Sequence, residues 1–171
     1  MTIRTATPAD AESLARLSAV TMREAFGPPF NPIEWVDAYI DQSLTVPQLE
    51  QELTDPSSTF FVAEGAEGEL IGFAKVRKQR PPRRMTERNA LEIQRIYLLQ
   101  KHTGGGRGRQ LMEHCLQFAR NNGYKAVFLG VWERNERAQQ FYSHLGFKPF
   151  GWHYFQFGPD RQRDIWMQKP L

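Results

Sequence analysis

The chain has 171 residues, enough for one domain with a buried core. Its 40% hydrophobic and 24% charged residues are ordinary for a globular protein, and no run of about eighteen apolar residues is present to form a membrane span. A single cysteine, Cys115, excludes an intrachain disulfide and a cysteine-cluster zinc site.

Met1–Thr5 has no apolar signal core, so a cytoplasmic location is the expectation. The net charge of +3 hides an asymmetry. Residues 1–70 hold 3 basic and 12 acidic residues, a net of −9, while residues 71–171 hold 19 basic and 7 acidic, a net of +12. One part suits a cation and the other an anion.

Thr2–Ala6 reads as a first strand. Thr7 caps a helix with Pro8 at its first position and Asp10 in its first turn. Leu14, Leu17, Ala19, Met22 and Phe26 keep a helical period until Gly27-Pro28-Pro29 ends it. Asn31-Pro32-Ile33-Glu34 starts a second helix, and Thr45-Val46-Pro47-Gln48 opens a third with a capping-box pattern. Thr59–Glu64 and Leu70–Lys78 flank a glycine-containing turn and predict a hairpin. A proline- and arginine-rich loop spans Arg80–Asn89, and Ala90–Leu98 is a fourth strand. Arg107–Asn122 predicts a long helix with Leu111, Met112, Cys115, Leu116 and Ala119 on one face. Lys125–Val131 is a fifth strand and Glu136–Leu145 a further helix. Phe147–Phe157 and Arg163–Gln168 are strands joined through Gly158-Pro159-Asp160. No repeat or long linker divides the chain, so residues 1–171 are expected to form one α/β (α+β) domain.

Two features carry chemistry. Gly104-Gly105-Gly106-Arg107-Gly108 lies between a strand and a helix. Helix N-termini offer unpaired N–H groups and partial positive charge, and glycines let that backbone approach a pyrophosphate. No Lys-Ser or Lys-Thr pair follows the last glycine, so this is not a nucleotide triphosphate loop. No acidic residue ends the next strand, so it is not a dinucleotide fingerprint either. The second feature is a helix from Asn135 in which Ala138, Phe141 and Leu145 form an inward stripe. Tyr142 flanks that stripe, so its ring can be buried while its hydroxyl reaches a cleft.

Taken together, Gly106-x-Gly108 and Leu129-x-Val131-x3-Asn135-x2-Ala138-x3-Tyr142-x3-Gly146-Phe147 resemble the GCN5-related N-acetyltransferase (GNAT) superfamily. Leu91–Tyr97, Leu129–Glu136 and the tail through Asp164 are similar to its PaiA-type members, which acetylate spermidine and spermine. The resemblance implies a single mixed, mostly antiparallel sheet of about seven strands, helices on both faces, and splayed fourth and fifth strands. It implies acetyl-CoA as co-substrate, with no metal. The pyrophosphate would lie on Gly104, Gly105, Gly106, Arg107 and Gly108, with Arg109 nearby. Thr103 departs from the Gln or Arg usual at its position, and Arg107 and Arg109 are placed to compensate.

The implied reaction is direct attack of a neutral amine on the thioester. Deprotonating an alkyl amine at pH 7 costs roughly 4–5 kcal/mol, which a general base can supply in part. Glu92 is the leading candidate base and Glu133 the second. Backbone N–H groups of Ile96, Tyr97 and Leu98 would polarise the carbonyl. Asn135 would approach the pantetheine, and Tyr142 would protonate the leaving thiolate.

For the acceptor, residues 23–56 carry seven acidic residues against Arg23, a balance of −6, which suits a polyamine. Glu24, Glu92 and Glu133 are candidate contacts for its charges, and Trp35, Tyr39 and Trp132 for its aliphatic stretches. A protein N-terminus, a lysine, an amino acid or a drug amine is the alternative acceptor. A different class is a nucleic-acid-binding or regulatory module built on Arg77-Lys78-x-Arg80-Pro81-Pro82-Arg83-Arg84, and a third is a non-catalytic acetyl-CoA sensor. A homodimer is expected from the resemblance, and a membrane partner is not.

Overall fold

The structure is a computed structural model describing residues 1–171. In chain order it contains β1 (Thr2–Thr5), α1 (Ala11–Phe26), α2 (Ile33–Ser43), α3 (Val46–Thr54), β2 (Ser58–Glu64), β3 (Leu70–Arg77) and β4 (Ala90–Leu98). The second half adds α4 (Arg107–Asn121), β5 (Ala126–Trp132), α5 (Glu136–His144), β6 (Lys148–Phe157) and β7 (Asp160–Pro170). All seven strands join one sheet in the order β1-β2-β3-β4-β5-β7-β6, antiparallel throughout except for β4 and β5. The expected mixed sheet with helices on both faces is present.

Both faces of the sheet are covered, so β2 and β3 read as nearly continuous apolar runs. On one face Phe61, Ala74, Val76, Leu91, Ile93, Val127 and Leu129 pack on the Leu111, Met112, Cys115, Leu116 and Ala119 stripe of α4. On the other, Phe60, Val62 and Phe73 pack on Leu14 and Leu17 of α1 and Leu49 of α3. A satellite cluster of Met22, Val36, Ile40, Leu44 and Phe157 joins α1 and α2 to the β6–β7 hairpin.

Two elements have boundaries that differ by more than one residue from those expected from sequence. Pro8–Asp10 is a separate 3-10 turn before α1. The Asp10 carboxylate there accepts the Thr7 N–H at 2.8 Å and holds Arg4, so it serves β1 as much as the helix. β7 runs from Asp160 to Pro170 rather than from Arg163 to Gln168, because it pairs with β5 on one edge and β6 on the other.

Two irregularities in β4 open a gap in the sheet. Its parallel pairing with β5 covers only Ala90–Glu92 against Ala126–Phe128, and from Ile93 onward the strands part. A bulge falls at Gln94, since Val76 pairs with Ile93 but Lys75 with Arg95. The extra residue resets the alternation. Ile93 faces α4, whereas Arg95 turns to the opposite face and meets Glu52 of α3 at 2.7 Å. Beyond the bulge, Leu99 N–H donates to Ile71 on β3 at 2.9 Å. By the two-residue alternation of a ladder, the N–H groups of Ile96 and Leu98 then point away from β3, into the gap.

Glu52 also holds Lys75 at 2.9 Å, with all three side chains largely buried. Burial pushes the Lys75 ammonium down and the two cations pull the Glu52 carboxyl down, so the three charges stand only together. Glu52→Ala leaves two cations facing each other without their counter-ion. Loss of about 3 kcal/mol is expected, read as a lowered denaturant midpoint.

Candidate active site

The glycine turn sits at the open end of the β4–β5 gap. Gly104, Gly105 and Gly106 hold φ of +89°, +56° and +77°, three consecutive left-handed residues that glycine alone adopts without strain. Gly106 is the N-cap of α4. A Cβ at Gly104 or Gly106 would meet nothing within 4 Å, so the turn opens outward with its backbone bare. Gly108 lies where α4 meets α5 and the end of β4, and a Cβ there would sit in ordinary contact with Phe141 Cζ at 3.5 Å and Leu98 Cδ1 at 3.7 Å. Arg107 and Arg109 enter no ion pair and are free for an anion. Thr103 is occupied within the protein, donating to the Gln100 carbonyl at 2.8 Å and accepting from Arg137 at 3.2 Å.

Asn135 is the N-cap of α5, its Oδ1 accepting the Ala138 N–H at 3.0 Å, which leaves only its amide NH2 for a ligand. One helical face onward, Tyr142 is 8% exposed and packs on Phe141 and Phe147. Its hydroxyl makes no hydrogen bond to the protein and is not sealed from solvent. Burial pushes the phenol upward, so it stays protonated across the neutral range, as a proton donor must. Cys115 lies in the same core, its thiol pushed up to about 12 by burial, which makes it inert.

The opposite face of the gap holds the candidate acceptor residues, and most have protein partners. Glu92 is buried and ion-paired with Arg77 of β3. Glu133, after β5, pairs with Arg163 of β7 at 2.5 Å. Glu24 accepts the Gln100 N–H at 2.8 Å, fastening α1 to the 3-10 turn after β4. Trp35 lies under the β6–β7 turn, where a Cβ on Gly158 would come within 2.9 Å of its ring. Trp132 closes the end of β5 against Phe26 at 5.5 Å and Phe30 at 5.6 Å, forming an aromatic wall beside the gap. Of the acidic residues in 23–56, Asp37 is held by Arg23 and Glu52 by Lys75 and Arg95, while Glu34, Asp41 and Glu50 are exposed outside any ion pair.

Two residues that the sequence does not single out stand over the same gap. Asp164 on β7 and His153 on β6 are cross-strand partners. Both lean over Gly130, where a Cβ would lie 3.3 Å from Asp164 Oδ2 and 3.5 Å from His153 Cε1. Asp164 Oδ1 and His153 Nδ1 are buried without hydrogen-bond partners. The readable signal was Gly130 itself, a bare position inside an apolar strand, which marks a close approach.

A concavity of about 580 Å³ lies elsewhere, at the start of β4, lined by Lys78, Arg80, Arg88 and Tyr124 among others. The basic loop beside it is well anchored. Arg88 donates to the carbonyls of Pro81, Pro82 and Met85, and Met85 is buried.

A splayed parallel strand pair, a glycine turn capping a helix at its mouth and a buried phenol on its flank are the frame of an acyl-transfer site. The acetyltransferase (GNAT) family model matches residues 20–147, and the chain belongs to that family; it is an acyltransferase of the N-acetyltransferase type. An uncharacterised N-acetyltransferase from the pepI 3′ region of Lactobacillus delbrueckii subsp. lactis is 32% identical over 162 residues, 95% of this chain and 92% of that one. An uncharacterised N-acetyltransferase of Mycobacterium tuberculosis is also 32% identical over 162 residues, covering 95% and 98%. Among solved structures, the PaiA N-acetyltransferase from Thermoplasma acidophilum in complex with coenzyme A superposes with a TM-score of 0.78 at 21% identity, covering 100% of both chains.

Proposed function

We propose that the protein transfers acetyl from acetyl-CoA to a primary amine of a small polyamine. The observation that carries this reading is the β4–β5 gap, which runs from a bare glycine turn to an unbonded tyrosine hydroxyl. The backbone of Gly104–Gly108 and the N-terminus of α4 receive the pyrophosphate, with Arg107 and Arg109 beside it. Pantetheine lies between the strands, near the Asn135 amide. The Ile96 and Leu98 N–H groups polarise the acetyl carbonyl, an assignment sharper than the Ile96–Leu98 run because Tyr97 directs its own amide to β3. Tyr142 protonates the departing thiolate. Coenzyme A bound in the Thermoplasma acidophilum structure of the same fold supports the donor.

The polyamine is supported by the chemistry of the acceptor side. Asp164, Glu92 and Glu133 place negative charge beside the gap, and Phe26, Phe30 and Trp132 give an aliphatic chain an apolar wall. Glu92 stands there held by Arg77 of β3. Thiol release from acetyl-CoA, measured against spermidine, spermine, putrescine, lysine peptides and N-terminal peptides, tests the assignment. Turnover is expected on the polyamines, and turnover on peptides alone would overturn it.

A further inference from the structure

Asp164, His153 and Gln94 each hold a buried polar atom without a hydrogen-bond partner. Asp164 Oδ1 and His153 Nδ1 lie over Gly130, and Gln94 Oε1 belongs to the bulge of the facing strand. A buried acceptor without a partner costs stability, and a set of acceptors is satisfied by an occupant rich in N–H donors. Gly130 is the one exposed position of β5, and only its missing side chain leaves room there, since a Cβ would lie 3.3 Å from Asp164 Oδ2 and 3.5 Å from His153 Cε1. His153 is stacked on Trp166 at 4.2 Å with the rings 14° apart, which fixes its orientation.

The geometry points to Asp164, positioned with His153, as the group that receives the acceptor ammonium over Gly130 and takes its proton. This rests on the transferase reading. Among the carboxylates beside the gap Asp164 alone has no protein partner at all, since Glu92 is paired with Arg77, Glu133 with Arg163, and Glu24 accepts the Gln100 N–H. The ionisable groups around it are Glu133 after β5, its cross-strand partner His153 on β6 and Tyr97 on β4, with Glu92 beyond His153 and Arg95 and Tyr39 beyond Tyr97. Burial, and then the charge of Glu133, push the Asp164 carboxyl up from 3.8 to about 6. Burial pushes His153 down, so at neutral pH it is uncharged.

The protons balance. The ammonium gives one proton to Asp164, and the freed lone pair forms the C–N bond to the acetyl carbon. The C–S bond breaks with its electron pair on sulfur, which takes the Tyr142 proton. A second proton leaves the nitrogen as the amide forms and restores the phenol, and the third stays on the amide. Asp164 returns its proton to solvent.

Asp164→Asn tests this with spermidine as acceptor and acetyl-CoA affinity measured separately by calorimetry. Wild type should show an acid limb in kcat/KM near pH 6. The variant should lose about 100-fold in kcat/KM and the limb with it, while acetyl-CoA affinity holds. A folded-state pKa above the unfolded one adds stability below about pH 3.8 that is lost as pH rises through about 6. The variant should therefore melt higher than wild type at pH 8 and lose that advantage at pH 4. An unchanged kcat/KM in Asp164→Asn overturns the proposal, as does a fall that leaves the acid limb in place. Wild type that binds acetyl-CoA yet acetylates no amine overturns the transferase reading, and this proposal falls with it.

Discussion

Replacing Tyr142 by Phe should lower kcat about 100- to 1,000-fold while leaving acetyl-CoA affinity within about twofold. The change removes one oxygen atom from a ring that is otherwise held by Phe141, Phe147 and the α4 core. That oxygen has no protein partner, so no buried donor or acceptor is orphaned and the fold should tolerate the loss. The whole effect then falls on chemistry. A coenzyme A thiolate leaving into an apolar gap is poorly solvated, and the phenol supplies the proton that water cannot deliver there. Burial raises the phenol's pKa, which keeps the donor loaded at every working pH. Tyr142→Phe should therefore lower the rate by a similar factor from pH 6 to pH 9. A kcat within threefold of wild type would mean that the thiolate departs unaided or takes its proton from solvent, and Tyr142 would be a packing residue.

The sequence exposes the parts of this molecule that repeat a local pattern. The α4 stripe from Leu111 to Ala119 shows a helical period, and the β2 and β3 runs are apolar because both of their faces are covered. The glycine turn is legible because three adjacent glycines have few other physical reasons to precede a helix. What stays hidden depends on register. The gap between β4 and β5 opens because pairing stops after Glu92, and nothing in the composition of Ile93–Leu98 distinguishes a paired strand from an unpaired one. The Gln94 bulge sends Arg95 to the face opposite the one that simple alternation predicts, turning an expected core-facing position into a partner for Glu52. Glu92 reads as an available carboxylate until the β3–β4 register brings Arg77 opposite it. Asp164 and His153 are 11 positions apart on a long hairpin, and only its register sets them side by side over Gly130. Local chemistry therefore locates the donor half of the site, and long-range pairing decides the acceptor half.

The donor half can be tested by a matched pair of glycine substitutions. Gly106 and Gly68 hold φ of +77° and +81°, and a Cβ at either meets nothing within 4 Å. Valine at each position thus brings a similar backbone penalty of about 1–2 kcal/mol and no clash at Cβ. One glycine caps α4 at the mouth of the gap, and the other turns the β2–β3 hairpin. If the turn before α4 binds pyrophosphate through its backbone, only Gly106→Val should weaken acetyl-CoA. Relaxing the left-handed conformation swings peptide N–H groups away from the anion, and hydrogen bonds to charged groups contribute about 1.5–3 kcal/mol each. Loss of two such bonds predicts a rise in Kd of at least about 100-fold by calorimetry. Gly68→Val should show a similar fall in melting temperature and an unchanged Kd. Equal weakening in both variants would trace the effect to global destabilisation. Undiminished binding in Gly106→Val would place the phosphate contacts on Arg107 and Arg109, making the left-handed run a device for turning the chain into α4 rather than for holding an anion.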